Sequence, residues 1–220
     1  MSMRRRGFLS LFPALGGAAL GATALGETAR ADEVSDALAD ITKARAGLQT
    51  LVGAFTQERT IGLLATVVKS EGEMTLVRPE RLRWELRPPD AVTYWIGPEG
   101  LAYATPTGGA SVGKSAAGRF GAVLGDLMTL MGGDLEKLRA RYDLSVSKPD
   151  GGGLLLGARP RAEEVKKHVK SLSLRLAPSL WAAQKIEIEE SGGDRSVIAF
   201  PAMVRDVKVD PARMTPPRSK

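Results

Sequence analysis

The 220-residue chain contains no cysteine and a single histidine, His168. The first absence excludes a disulfide framework, so packing alone must hold the fold, and it also excludes an N-terminal lipid-bearing cysteine. The second leaves metal sites and Ser-His or Cys-His nucleophilic pairs with almost nothing to be built from. His168 sits in the charged segment Glu163-Glu164-Val165-Lys166-Lys167-His168, which reads as protein surface. No Asp/Glu pair stands in an obviously apolar setting that would raise one of its pKa values for hydrolysis. The expectation is a protein that is not an enzyme and holds neither metal nor cofactor.

Long apolar runs are also lacking. The one extended uncharged stretch, residues 7–25, is rich in Gly and Ala and carries Pro13, which suits it poorly to a permanent membrane span. Arg4-Arg5-Arg6 precedes it, and Ala29-Arg30-Ala31 follows, with Asp32-Glu33 immediately after. A basic head, an apolar middle and an A-x-A ending are the three parts of a cleavable secretory signal. Residues 1–31 are therefore expected to be a leader and residues 32–220 a single domain, soluble in the periplasm. Arg5-Arg6-Gly7-Phe8-Leu9 also fits the twin-arginine export signature. Loss of Arg4, Arg5, Arg6 and Arg30 together with Glu27 lowers the net charge from +6 to +3, which gives little support to nucleic-acid binding.

What is present is periodicity. Over residues 34–55 the apolar positions Val34, Leu38, Ile41, Leu48, Leu51, Val52 and Phe55 follow spacings that predict one long amphipathic helix. The period then becomes two. Leu82, Trp84 and Leu86 share one face against Arg81, Arg83, Glu85 and Arg87; Leu172, Leu174 and Leu176 oppose Ser171, Ser173 and Arg175. The alternation recurs at 185–189, with shorter candidate strands at 67–77, 92–96, 101–105, 142–147, 154–158, 195–200 and 204–209. Turn residues separate most of them, as in Pro88-Pro89-Asp90 and Gly151-Gly152-Gly153. Such a series predicts an antiparallel meander that curls fully or partly into a barrel. Residues 116–141, with Phe120, Leu124, Leu127, Met128 and Met131, read as one or two amphipathic helices broken near Gly132-Gly133.

Two local features invite stronger readings. Gly108-Gly109-Ala110-Ser111-Val112-Gly113-Lys114-Ser115 fits the phosphate-loop pattern letter for letter. That loop belongs to a parallel sheet of continuously apolar strands, whereas the strands here alternate, so the stretch is read as a flexible Gly/Ser loop leading into a helix. Arg78, Arg81, Arg83 and Arg87 offer either an electropositive docking strip or the wet face of a strand. Arg78 stands apart from that alternation, because Pro79 holds it extended.

In order, Phe55-Thr56-Gln57, the glycine-bearing Ser70-Glu71-Gly72-Glu73-Met74-Thr75-Leu76, then Arg78-Pro79-Glu80-Arg81-Leu82-Arg83-Trp84, and finally Tyr103-Ala104-Thr105-Pro106 resemble the LolA-type lipoprotein carriers of the Gram-negative periplasm. The ending Val209-Asp210-Pro211 is similar as well. The resemblance is strong over residues 48–106 and looser beyond. It implies a half-open antiparallel β-barrel whose apolar concave face is covered by amphipathic helices acting as a lid. It also implies a monomer that receives acylated lipoprotein or lipid cargo from an inner-membrane ABC transporter and passes it to an outer-membrane receptor lipoprotein. The family's arginine before the proline, which Arg78 matches, helps to lock the lid.

Transfer of this kind moves acyl chains and makes no bonds. At about 0.8 kcal/mol per CH₂, a long chain needs on the order of 10 kcal/mol of shelter. Phe55, Met74, Leu76, Leu82, Trp84, Leu86, Tyr94 and Ile96 are the candidate lining, and Phe120, Leu124, Leu127, Met128 and Met131 the candidate lid helix. The other class compatible with the fold is an envelope-stress sensor or adaptor that binds a protein or lipid without transporting it.

Overall fold

The computed structural model describes residues 22–113, 118–132 and 135–217. Among them, two meanders form a single antiparallel sheet of twelve strands. The first runs through β1 (Thr50–Ile61), β2 (Thr66–Val77), β3 (Arg81–Leu86), β4 (Thr93–Gly97), β5 (Gly100–Thr105) and β6 (Gly108–Val112). The second runs through β7 (Tyr142–Ser147), β8 (Leu154–Pro160), β9 (Val169–Leu176), β10 (Ala183–Glu190) and β11 (Arg195–Ala199). They join where β1 pairs with β11, and the short β12 (Val204–Arg205) continues that pairing along the start of β1. The order is therefore β6-β5-β4-β3-β2-β1-β11-β10-β9-β8-β7, and edges β6 and β7 do not meet. This is the expected half-open antiparallel barrel.

Helices α1 (Ala22–Ala44), α2 (Gly118–Gly132) and α3 (Glu136–Arg139) lie against the sheet, and a further turn, α4 (Glu163–Lys166), links β8 to β9. α1 and α3 pack beside β7, and α2 packs over β2 and β4. None of the described helices is long and apolar enough to cross a membrane.

The helix expected over residues 34–55 ends at Ala44. Gly47, at φ +75°, takes the left-handed conformation that closes helices, and the chain turns there into β1. Leu51 and Phe55 thus face inward from a strand, on the same side as buried Gly53. The apolar spacing fitted a helix because glycine, which contributes nothing to a hydrophobic pattern, holds the inward position between them. The Gly108–Gly113 stretch is corrected too. Gly108–Val112 is a strand whose partner is Leu101–Thr105 in the register Thr105↔Gly108 to Leu101↔Val112, so its backbone groups serve a sheet ladder instead of a loop. Lys114 and Ser115 lie outside the described residues, as do the Arg4–Arg6 head and most of the uncharged stretch after it. α1 runs unbroken through Ala29-Arg30-Ala31. The last candidate strand, 204–209, shortens to β12 and gives way to a 3₁₀ turn at Pro211–Met214.

At the far end of the β1–β2 hairpin, Leu63 is 92% exposed and Leu64 66%.

Candidate functional site

The inner face follows from strand register. Phe55 stands opposite Gly72, and Leu51 opposite Leu76; on β3, Trp84 pairs with Met74 and Leu82 with Leu76. β4 adds Tyr94 beside Trp84 and Ile96 beside Leu82. Alternate residues point the same way, so these side chains share one side of the sheet. Phe55, Met74, Leu76, Leu82, Trp84 and Ile96 are buried members of a single apolar cluster, with Leu86 and Tyr94 half-buried against it. Phe55 stacks on Trp84 at 4.0 Å, and Phe200 closes the group at 6.0 and 6.3 Å.

The second meander contributes as much. Leu156, Leu172, Leu174, Leu176, Ile186 and Ile198 belong to the same cluster, joined across the sheet by the pairs Leu156↔Leu174, Leu174↔Ile186 and Ile186↔Ile198. The candidate lining drawn from sequence covers only β1 to β4. The alternation at Leu172, Leu174 and Leu176 was the signal for the other half, but nothing in sequence shows that β11 returns to β1 and merges the two faces.

The helices cover this face. α1 inserts Val34, Ala37, Leu38 and Ile41, spaced to form one stripe, and all four are buried. α2 buries Leu127, Leu130 and Met131 and packs half-buried Met128 against the cluster. The side chains of Phe120 and Leu124 lie outside the described residues. Gly132, the last residue of α2, sits on Leu76 so closely that a Cβ there would lie 2.1 Å from Leu76 Cδ2. The hollow of the sheet is thus filled by helix side chains. Clefts of about 150 and 510 Å³ lie at its rims: one beside Trp95 and Ala102, the other between α1 and the β7–β8 hairpin.

Polar ties hold the helices at two places. Asp126 of α2 is buried and accepts hydrogen bonds from the Tyr142 hydroxyl on β7 and from Arg141 Nη1, the latter at 2.5 Å. Burial raises the Asp126 pKa, and the bonds from Tyr142 and Arg141 oppose that rise. Tyr142 is raised as well, by its own burial first and then by Asp126. No sequence signal marks this tie, because Asp126 looks like one more polar residue of a surface helix. The second tie is at Arg78, whose Nη1 donates to the Arg45 carbonyl at 3.0 Å, while its backbone N–H donates to the Gln49 carbonyl at 2.9 Å. Arg78 therefore grips the chain where α1 ends.

The other arginines of the row lie on the outer face, each beside a carboxylate. Arg81 pairs with Glu99 at 2.9 Å, Arg83 with Glu85 at 2.6 Å, and Arg87 approaches Glu71 at 3.9 Å. Arg83 also holds the Glu85 carboxyl below its ordinary pKa. The wet-face reading holds for Arg81 and Arg87; Arg83 is largely covered, between Glu85 and the Trp95 ring, and Arg78 does something different again. His168 is half-buried at the turn before β9. Among the described residues no three His, Cys, Asp or Glu side chains are grouped so as to hold a metal ion.

The sequence matches the family described as "Outer membrane lipoprotein carrier protein LolA" over residues 46–215. An outer-membrane lipoprotein carrier protein of Alkalilimnicola ehrlichii is 27% identical over 183 residues, which is 80% of this chain and 77% of that one. Among solved structures, an uncharacterized conserved protein from Thermus thermophilus superposes with a TM-score of 0.51 at 8% identity, covering 84% of this chain and 95% of the other. The MucA/MucB complex of Pseudomonas aeruginosa gives a TM-score of 0.45 at 16% identity, covering 83% and 60%. At 8% identity the likeness to the Thermus thermophilus protein speaks to the fold alone.

Proposed function

Since the chain belongs to the LolA family of outer-membrane lipoprotein carriers, we propose that it is a periplasmic carrier that shelters the acyl chains of lipoproteins, or of a related lipid, and moves them from the inner to the outer membrane. One observation carries the reading. A single apolar face built from both meanders is covered by helices that depend on packing and on a few polar ties, instead of by a second sheet. Helices laid on the face of an open sheet can lift away without breaking any strand pairing. Displacing α1 and α2 would free the surface that Leu51, Met74, Leu82, Trp84, Leu156 and Leu174 contribute, and acyl chains would replace the helix side chains there. Because helix and cargo compete for one apolar surface, net affinity stays modest and the cargo leaves again.

The rest of the route follows from the family: an inner-membrane ABC transporter as donor and an outer-membrane receptor lipoprotein as acceptor. Export through residues 1–31, by the twin-arginine or the general route, belongs to the same proposal and rests on the basic head and the A-x-A step. Mass spectrometry of the protein purified from its own periplasm tests the reading. Acylated cargo should co-purify, and depletion of the protein should strand lipoproteins in the inner membrane. Cargo-free protein together with normal lipoprotein sorting would overturn it, in favour of a sensor or adaptor built on the same fold.

A further inference from the structure

The apolar stripe of α1 passes through Val34, Leu38 and Ile41, and the next position on it is Arg45. Its backbone N–H still donates to the Ile41 carbonyl, at 3.0 Å, so the helical path carries the side chain inward with the stripe. Arg45 is only 3% exposed, and its Nε, Nη1 and Nη2 all lack hydrogen-bond partners. A guanidinium carries five N–H donors and stays charged, and a buried charge is ordinarily paired. The charge acting on Arg45 is instead that of Arg78, a second cation. Burial first, and then Arg78, lower the Arg45 pKa to about 10, which leaves it protonated at neutral pH.

Two carboxylates, one in contact with Gln49 and one close to Arg78 along the chain, are engaged with other partners. Asp206 accepts from the Gln49 backbone N–H at 2.8 Å and pairs with Arg205 at 2.8 Å, and Glu80 faces Lys137 at 4.0 Å. Arg78 follows directly on Leu76 and Val77 at the end of β2, so the two cations lie at one end of the apolar face, where a headgroup would sit with its chains running inward past Leu76 and Leu82. We propose that Arg45 and Arg78 form the anion-binding end of the cargo site and take the phosphate of an anionic acyl lipid headgroup when α2 and the body of α1 lift away while the end of α1 stays gripped by Arg78. The proposal rests on the carrier reading and adds a headgroup preference to it.

The test compares phosphatidic acid with diacylglycerol of identical chains, and with inorganic phosphate alone, for binding to the purified protein and to its Arg45→Met variant. Charge-assisted hydrogen bonds should favour phosphatidic acid over diacylglycerol by about tenfold or more. Arg45→Met removes one of the two cations and should cut that preference severalfold, Arg78 keeping the remainder, and an unchanged preference would overturn the role of Arg45. Equal binding of both lipids by the unaltered protein would overturn the anion site and leave the carrier reading intact. Binding of neither lipid would overturn the headgroup assignment, while the carrier reading stands or falls on the co-purified cargo. Inorganic phosphate binding as tightly as phosphatidic acid would overturn the headgroup assignment in favour of a free-anion site. Thermal unfolding keeps the variant interpretable: removing a buried unpaired charge should raise the midpoint of Arg45→Met, and a lowered midpoint would mean a structural partner and overturn the proposal.

Discussion

Phe55 and Trp84 lie stacked with ring centroids 4.0 Å apart and planes inclined by 27°, and the residue that makes room for them is Gly72. Gly72 stands opposite Phe55 on β1 and opposite Leu86 on β3. A Cβ at position 72 would fall 2.1 Å from the Glu85 carbonyl oxygen and 2.4 Å from Phe55 Cζ. One of those obstacles is backbone, so rotation of the ring cannot relieve both. Gly72→Ala is expected to cost about 1–3 kcal/mol, the usual penalty for overpacking a close-fitted core. Urea denaturation measures it, and an unchanged midpoint would show that the strands separate freely at this point.

The tie between α2 and β7 gives a prediction with a pH signature. Tyr142→Phe removes a donor from the buried Asp126 carboxylate and should destabilise the protein by about 1–3 kcal/mol. Asp126→Asn tests the charge itself. The folded-state pKa of Asp126 is raised above its ordinary value of 3.8, so the folded protein takes up this proton before the unfolded chain does as pH falls. Stability contributed by Asp126 therefore increases as pH drops through the raised value, and the gain is complete below about 3.8. Relative to Asp126→Asn, the unaltered protein should gain stability on acidification through that window. Parallel stability–pH curves for the two proteins would refute the assignment.

Gly132→Ala probes the lid without touching a charge. The added methyl would lie 2.1 Å from Leu76 Cδ2, and Leu76 is buried with little room to turn. Replacing glycine by alanine inside a helix gains about 1 kcal/mol, but position 132 ends α2 and collects less of that gain, so the clash dominates. The end of α2 should lift, exposing apolar surface while the sheet stays intact. Enhanced fluorescence of an apolar dye with an unchanged far-ultraviolet spectrum is the expected result; no gain in dye binding would mean that the lid absorbs the methyl group.

Much of this architecture was legible because a half-barrel is patterned simply, with strands wet on one side and dry on the other. The alternations at 81–87 and 169–176 translate directly into β3 and β9. β1 was not legible, since Gly53 and Gly47 carry its inward position and its boundary, and neither registers in a hydrophobic pattern. β6 was hidden by glycines that mimic a phosphate loop. Site features failed for another reason. Arg78 stood out because Pro79 separates it from the row, whereas the buried states of Arg45 and Asp126 depend on contacts between distant segments. On a helical stripe, Arg45 occupies a position where an apolar residue would have been expected, and only the packed chain shows that it stays inside.

Arg78→Leu sets two effects against each other. The substitution removes the Nη1 bond to the Arg45 carbonyl, a charge-assisted contact at 3.0 Å worth about 1.5–3 kcal/mol in a half-buried setting. It also removes the cation that acts unfavourably on buried Arg45, which returns part of that loss. Net stability should therefore change by no more than about 1 kcal/mol, while the hold on the end of α1 weakens. Amide hydrogen exchange over residues 41–49 should accelerate, because the carbonyl and the Gln49 backbone contact both depend on where the Arg78 chain sits. Transfer of acylated cargo to acceptor membranes should change in rate far more than the unfolding midpoint does. Arg78→Lys restores a charge without the planar fork and should fall between the two proteins. If exchange and transfer in Arg78→Leu both match the unaltered protein, the contact is incidental packing and the lid is held by α2 alone.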